Sequence, residues 1–514
     1  MTEKPTLTQK LILPSVFDLI VMCVFVTMII ADPMIKSFDI FWHLRTGDLL
    51  LSGIFPTTDI FSYTAYGKPW ILHEWGSQVI FAFIYKTAGI SGLIVLKSLI
   101  YALIYGLMFK LLLRKNINIF ICLLFTLFLF LGTAGGWAVR PHMFTNLFFV
   151  ILIWIVFEFK DQGNRKALWA MPVLFLIWIN LHGGFIIGFI FLAGCVGAEL
   201  LACLLKTGTE PDTACSQAKH LTFWGLVSFA ACFINPNTYN GVLYPLMYIG
   251  DQMDSKFIKE WAAPSMSTDM NFFIYCMLII VGLAFSGKKP RLYETFMAVV
   301  FIVFAFSAKR HIPVFAIIVT PVLAGLWQDI IISFFKMIQA AVNGLPRRGI
   351  NRIADYFTTR SAWFGFMEKH LNVHSLLFII VGAMAAVSMS FPEKFNIGLK
   401  NSLYPIEIVD HIRTNNLQGN LFNQYGWGGF LLWSLPDQKV FIDGRMDVYK
   451  REISDPYKTI INLESGWEEL IDRYAIQHIL LSKEKIMSRF LLNVSDAWVL
   501  EKESETACFF SKTR

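Results

Sequence analysis

Runs of about twenty apolar residues recur along this chain, the length an α-helix needs to cross the hydrocarbon core of a bilayer. They fall at 15–33, 91–111, 117–134, 143–159, 167–181, 184–205, 221–235, 271–286, 292–308, 312–333 and 374–390. Few folds tolerate such a pattern, because backbone in hydrocarbon must satisfy its own hydrogen bonds. The expected class is mostly α: a polytopic membrane bundle of about eleven transmembrane helices. Composition agrees, since 55% of the 514 residues are hydrophobic and only 16% are charged, which excludes an ordinary soluble enzyme. The net charge of +7 does not point to nucleic acid, because the basic residues sit between apolar runs, where bilayer orientation accounts for them.

That orientation is legible. With a cytoplasmic N-terminus, Lys10, Lys110, Arg114, Lys115, Lys160, Lys288 and Arg291 all fall on the cytoplasmic side, as the positive-inside rule requires. The first run lacks a small-residue cleavage signature and is followed by Asp32-Pro33 and Lys36, so a retained signal anchor is expected. The transmembrane domain is expected over 1–390, with a large first extracytoplasmic loop at 34–90. Residues 79–87 are too short to span and are expected to be interfacial or re-entrant.

Beyond Phe391 the hydropathy falls, and 391–514 reads as a soluble extracytoplasmic α/β domain. Strands are expected at 419–423, 439–442, 478–482, 498–502 and 507–511, with helices at 406–415, 467–474 and 485–491. The turn after 439–442 offers Asp443, Arg445 and Asp447, a place where α/β domains often contact ligands.

Within the first loop, the stretch 38–78 holds Asp39, His43, Arg45, Asp48, Asp59, His73 and Glu74 among Trp42, Tyr63, Trp70 and Trp75. Polar groups this dense beside an apolar run must lie at the interface or line a cavity. Asp39 follows the first run directly, where a partly desolvated carboxylate can act as a general base; helix capping is the plain alternative. Glu74 and Asp48 are further candidate acids, although Asp48 has Arg45 three residues away to pair with. Asp59, in Pro56-Thr57-Thr58-Asp59, suits a turn or helix start. The same face is expected to receive Arg140 and His142, His182, Arg310 and His311 from three helix junctions. With His43 and His73 these are candidate substrate or phosphate ligands, Arg above all for its planar fork of donors.

Several chemistries are excluded by motif. His73-Glu74 begins a zinc-peptidase helix, but the second histidine would stand at Ser77. No GxxxxGK(S/T) phosphate loop or GxSxG elbow occurs. The eight cysteines show no CxxC spacing, so neither a zinc site nor a disulfide framework is expected.

The stretches 39–75, VRPHMFT at 139–145, LIWINLHGGFIIG at 176–188 and 422–449 together resemble a group of bacterial membrane proteins related to the GT-C glycosyltransferases. That class includes oligosaccharyltransferases and protein mannosyltransferases. The resemblance implies a catalytic acid in the first extracytoplasmic loop, a polyprenyl-phosphate-linked sugar donor, and a glycan, lipid or protein acceptor. By position Asp39 matches the acid. Many relatives carry a second acid beside it, where this chain has Ile40 and Phe41. No metal site is therefore assigned, and a divalent cation, Mg or Mn, is left open. The rival expectations are a transporter or flippase for a lipid-linked glycan, and a non-catalytic envelope assembly protein.

Overall fold

The computed structural model describes residues 5–206, 211–247, 259–341, 348–371, 373–494 and 496–513. Each apolar run falls on a helix: Val16–Ala31, Trp75–Arg114, Ile119–Thr133, His142–Lys160, Ala170–Leu181, Phe185–Leu205, Pro211–Ala231, Met270–Phe285, Leu292–Ser307, Ile312–Ala341 and Ser375–Ser390. Among the described residues six helices are long and apolar enough to cross a membrane, or seven if the bent pair Thr359–His370 and Ser375–Ser390 is one span. The chain is thus an integral membrane protein, and the described residues supply six or seven candidate spans where about eleven were expected. The reason is length: the 12 residues of Ala170–Leu181 reach about 18 Å at 1.5 Å per residue, short of a core about 30 Å thick. Pro211–Ala231 is long enough, but its first half carries Asp212, Gln217, Lys219 and His220.

The segment 79–87, expected to be interfacial or re-entrant, is helical. Residues 75–114 form one helical element broken at Gly89, whose φ of 60° and ψ of −155° are non-helical. Only glycine adopts that pair without strain. The arm before the break packs against the helix Ile40–Leu51 of the first loop, and the part after it joins the bundle.

The helix ends form two differently furnished faces. At one, Trp75 Nε1 donates to Asn180 Oδ1 at 2.8 Å, Asn180 Nδ2 donates to the Ile234 carbonyl, and Asn237 Nδ2 donates to the Leu72 carbonyl. These bonds tie the junctions near 72, 180 and 235 together. At the opposite face Arg114 pairs with Glu158 at 2.5 Å and Lys115 with Glu294 at 2.8 Å. The helices Phe185–Leu205 and Pro211–Ala231 are joined there by a Cys203–Cys215 disulfide. The expectation was of no disulfide framework, and this single pair lies in two separate helices that pack side by side, a proximity that the absence of CxxC spacing does not exclude.

The C-terminal sheet runs Asn420–Asn423, Ile476–Ser482, Ala507–Lys512, Trp498–Glu503 in spatial order. Its first pair is parallel and the rest antiparallel. The strand expected at 439–442 is reduced to single bridges, with Val440 between Leu421 and Ser62. Two helices unforeseen in the sequence, Gly428–Ser434 and Met446–Ile461, complete the layer. Phe422 packs between Phe441 and Tyr457, with ring centroids at 4.9 and 5.2 Å.

This layer is stitched to the first loop. Tyr63 N–H donates to the Val440 carbonyl and Val440 N–H to the Phe61 carbonyl, both at 3.1 Å. Strand Met34–Ile35 pairs in parallel with Gly398–Leu399. Arg445 closes the joint: it reaches Asp59 at 2.8 Å, holds Asp443 through Nε at 2.9 Å and Nη2 at 2.6 Å, and lies 4.5 Å over the Trp70 ring. Asp443, Arg445 and Asp59 are fully buried. Asp443 and Arg445 therefore clamp the loop, and Asp59 makes a turn rather than a helix cap, accepting from the N–H groups of Phe61 and Ser62.

Candidate active site

Asp39 stands at the N-cap position of Ile40–Leu51 yet makes no capping bond. Its Oδ2 is instead engaged by Arg140 Nη2, from the turn before His142–Lys160. The capping alternative therefore fails. Arg140 is shared: its Nη1 donates to Glu260 Oε2 at 2.6 Å. Arg310 stacks 4.3 Å over the ring of Trp261, the neighbour of Glu260. The resulting row runs Asp39, Arg140, Glu260, Trp261, Arg310, assembled from four distant stretches of chain.

Burial raises the Asp39 carboxyl above its ordinary value, while the Arg140 cation pulls the other way. Its side chain nevertheless keeps 22% of its surface exposed. A carboxylate that holds protons more tightly than usual, yet remains reachable, suits a general base near neutral pH.

Beside this row Glu74 is a hub for three imidazoles. His182 Nε2 lies 3.4 Å from it, His73 Nε2 3.5 Å and His43 Nδ1 3.8 Å. Their states differ for local reasons. The Gly184 N–H donates to His182 Nδ1 at 3.0 Å, so that nitrogen is the acceptor and the neutral ring carries its proton on Nε2, toward Glu74. Burial holds His182 and His43 down at about 3. His73 is also buried, but adjacent Glu74 outweighs this and raises it; Glu74 is lowered in return. His73 and Glu74 thus form an ion pair, with the Tyr244 ring stacked on His73 at 3.7 Å. Asp447, whose carboxyl is raised by burial, is close enough to His73 for their charges to interact.

Other sequence candidates lie elsewhere. Asp48, nine residues along the helix from Asp39, turns to Lys86 and to Arg45 at 3.9 Å. His311 hydrogen-bonds the Phe304 carbonyl at 2.9 Å and secures a helix junction. His142 is nearer the row, its Nε2 bonded to the Gly136 carbonyl at 3.0 Å. Glu260, Trp261 and Tyr244 were not foreseen. They lie between apolar runs with no motif around them, and the acid-aromatic pair Glu260-Trp261 was the one signal available.

Among the described residues, no group of three or more His, Cys, Asp or Glu side chains is arranged to hold a metal ion. The acids that could contribute are already committed, Asp39 and Glu260 to Arg140 and Glu74 to its imidazoles. The described residues do not fit a divalent cation, and no step is routed through one.

No known family and no curated protein matches this sequence, whereas solved structures match its fold. The archaeal oligosaccharyltransferase AglB from Archaeoglobus fulgidus, in complex with an inhibitory peptide and a dolichol-phosphate, is 10% identical with a TM-score of 0.58. That match covers 91% of this chain and 69% of the other. The apo form of the Archaeoglobus fulgidus oligosaccharyltransferase gives a TM-score of 0.55 at 10% identity over the same shares. ArnT from Cupriavidus metallidurans bound to undecaprenyl phosphate is 13% identical with a TM-score of 0.51, covering 96% of this chain and 97% of that one. At such identities the likeness is one of fold: the chain shares the architecture of these solved structures over most of its length.

Proposed function

We propose that this chain is a membrane glycosyltransferase that moves a sugar from a polyprenyl-phosphate carrier to a glycan, lipid or protein acceptor on the extracytoplasmic side. The observation that carries the reading is the Asp39 carboxylate, raised in pKa, partly exposed and oriented by Arg140. The fold supports it, since solved structures that share it include one with a dolichol-phosphate and one bound to undecaprenyl phosphate. In this reading the N-terminus is cytoplasmic, and the first loop and the C-terminal layer are extracytoplasmic.

In the reaction, Asp39 takes the proton of the acceptor hydroxyl as the acceptor oxygen bonds the anomeric carbon. The bond from that carbon to the phosphate oxygen breaks, and the leaving lipid phosphate takes the electron pair. Arg310, held against the Trp261 ring with the charges of Glu260 and Glu74 near it, meets the leaving charge with its fork of donors. Arg140, already divided between Asp39 and Glu260, orients the base. Glu74 and its imidazoles shape the acceptor side.

The test is transfer of radiolabelled sugar from membrane lipid carriers by wild type and by equally expressed Asp39→Asn. Loss of a general base is expected to lower transfer by about 10²- to 10⁴-fold. Transfer undiminished in Asp39→Asn removes this residue from the chemistry, and a wild type inert across carriers removes the enzyme reading.

A further inference from the structure

The turn Asp443-Gly444-Arg445 touches Asp39 and Trp42 as well as Asp59 of the first loop. Asp39 has two carboxylate oxygens, and Arg140 engages Oδ2. The other oxygen lies against Gly444: a Cβ at position 444 would stand 2.3 Å from Asp39 Oδ1 and 2.9 Å from Trp42 Nε1. No side chain fits at those separations without displacing the carboxylate or the indole.

Backbone conformation does not account for glycine here. Gly444 is not among the glycines with positive φ, which are Gly53, Gly67, Gly89, Gly163, Gly419 and Gly466. An alanine could adopt the same backbone. What position 444 requires is space, and the space is occupied by the candidate base.

The turn is also held too firmly to yield. Asp443 accepts from the Arg445 N–H at 2.9 Å and from its guanidinium, and Tyr449 Oη donates to Asp443 Oδ2 at 2.7 Å. Arg445 carries the clamp across to Asp59 in the first loop. Chain segments some 400 residues apart in sequence thus meet at one carboxylate, the first loop supplying the acid and the C-terminal layer its wall.

We infer that Gly444 is a positioning residue for the transfer proposed above: its bare backbone forms the wall that sets the Oδ1 face of Asp39. The C-terminal layer is then part of the catalytic centre rather than an accessory. This inference rests on the glycosyltransferase reading for its kinetic consequence, but not for its structural one.

The experiment uses the full chain in lipid with Gly444→Ala. A displacement of about 1 Å at a reacting group is expected to lower kcat by about 100-fold, with KM for the lipid donor changed less than about threefold. Gly426→Ala is the control, because its Cβ would meet the Phe38 ring at an ordinary 3.4 Å; it should keep kcat. A structure of the Gly444→Ala protein should show the Asp39 to Arg140 pair opened, a result that does not depend on any transfer assay. If the pair opens while wild type moves no sugar, the positioning stands and the function falls. A folded Gly444→Ala with wild-type kcat and an intact pair overturns the inference. If Gly444→Ala does not fold, Arg445→Lys, which keeps the charge but loses the fork, should show the same kcat loss in weaker form. Unfolding of both variants also overturns it, leaving a turn that is only structural.

Discussion

Replacing Arg445 by methionine tests how the first loop is held. The guanidinium is fully buried, 2.8 Å from Asp59 and 2.6 Å from Asp443, and neither carboxylate has measurable exposure. Methionine fills similar volume without charge and strands two carboxylates away from water. Breaking one side of such a buried network costs about 3–5 kcal/mol, an increase of about 150- to 5,000-fold in the population with the loop undocked. Asp59 keeps its bonds to the Phe61 and Ser62 N–H groups, so the turn itself survives and the cost falls on the joint. Brief thermolysin digestion of the protein in lipid reads that population, because cleavage tracks the open fraction when reclosing is fast. Neutralising all three positions, with Asp59→Asn and Asp443→Asn added to Arg445→Met, should restore most of the protection. The pair between Lys68 and Glu452 crosses the same joint but is 31% and 72% exposed, so its loss should shift cleavage only slightly. Wild-type cleavage of Arg445→Met, or a triple variant as labile as the single, would refute the reasoning.

Two further outcomes follow from the site. Because the Arg140 cation lowers the Asp39 pKa against burial, Arg140→Gln should raise it, and the acid limb of the kcat/KM profile should move to higher pH; an unmoved or lowered limb contradicts the pairing. Arg310→Ala should lower kcat/KM for the lipid donor by about 10- to 150-fold, the value of a charge-assisted contact worth about 1.5–3 kcal/mol, with Arg310→Lys in between. A donor titration that leaves kcat/KM unchanged removes Arg310 from the phosphate.

What the sequence disclosed followed its periodicities. Every apolar run became a helix, because burying backbone polar groups leaves little choice. The first loop announced itself by polar groups where hydrocarbon would forbid them, and Asp39, Glu74, His43, His73 and His182 meet or adjoin one another there. The rest depended on contacts between distant segments. Nothing local distinguishes Glu260 from a surface acid until Arg140 arrives. Asp48 resembles Asp39 in type and neighbourhood, yet it lies nine residues along a helix, and two and a half turns carry it to Lys86. Residues 439–442 have strand composition but find partners only at Val440, and Gly428-Gly429 and Pro456 masked two helices that tertiary packing secures.

The joint between Thr64 and Phe441, whose hydrogen bond spans 377 residues, also bears on how the protein is made. At about 5–20 residues per second, the ribosome supplies the partner of the first loop about 20 to 75 s after the loop itself. Through that interval Asp59 has no guanidinium to meet it, and Asp39 has no wall. Synthesis therefore delivers Asp39 early and completes its surroundings last, so a chain stopped short of residue 445 carries this acid without the Gly444 backbone that lies against it.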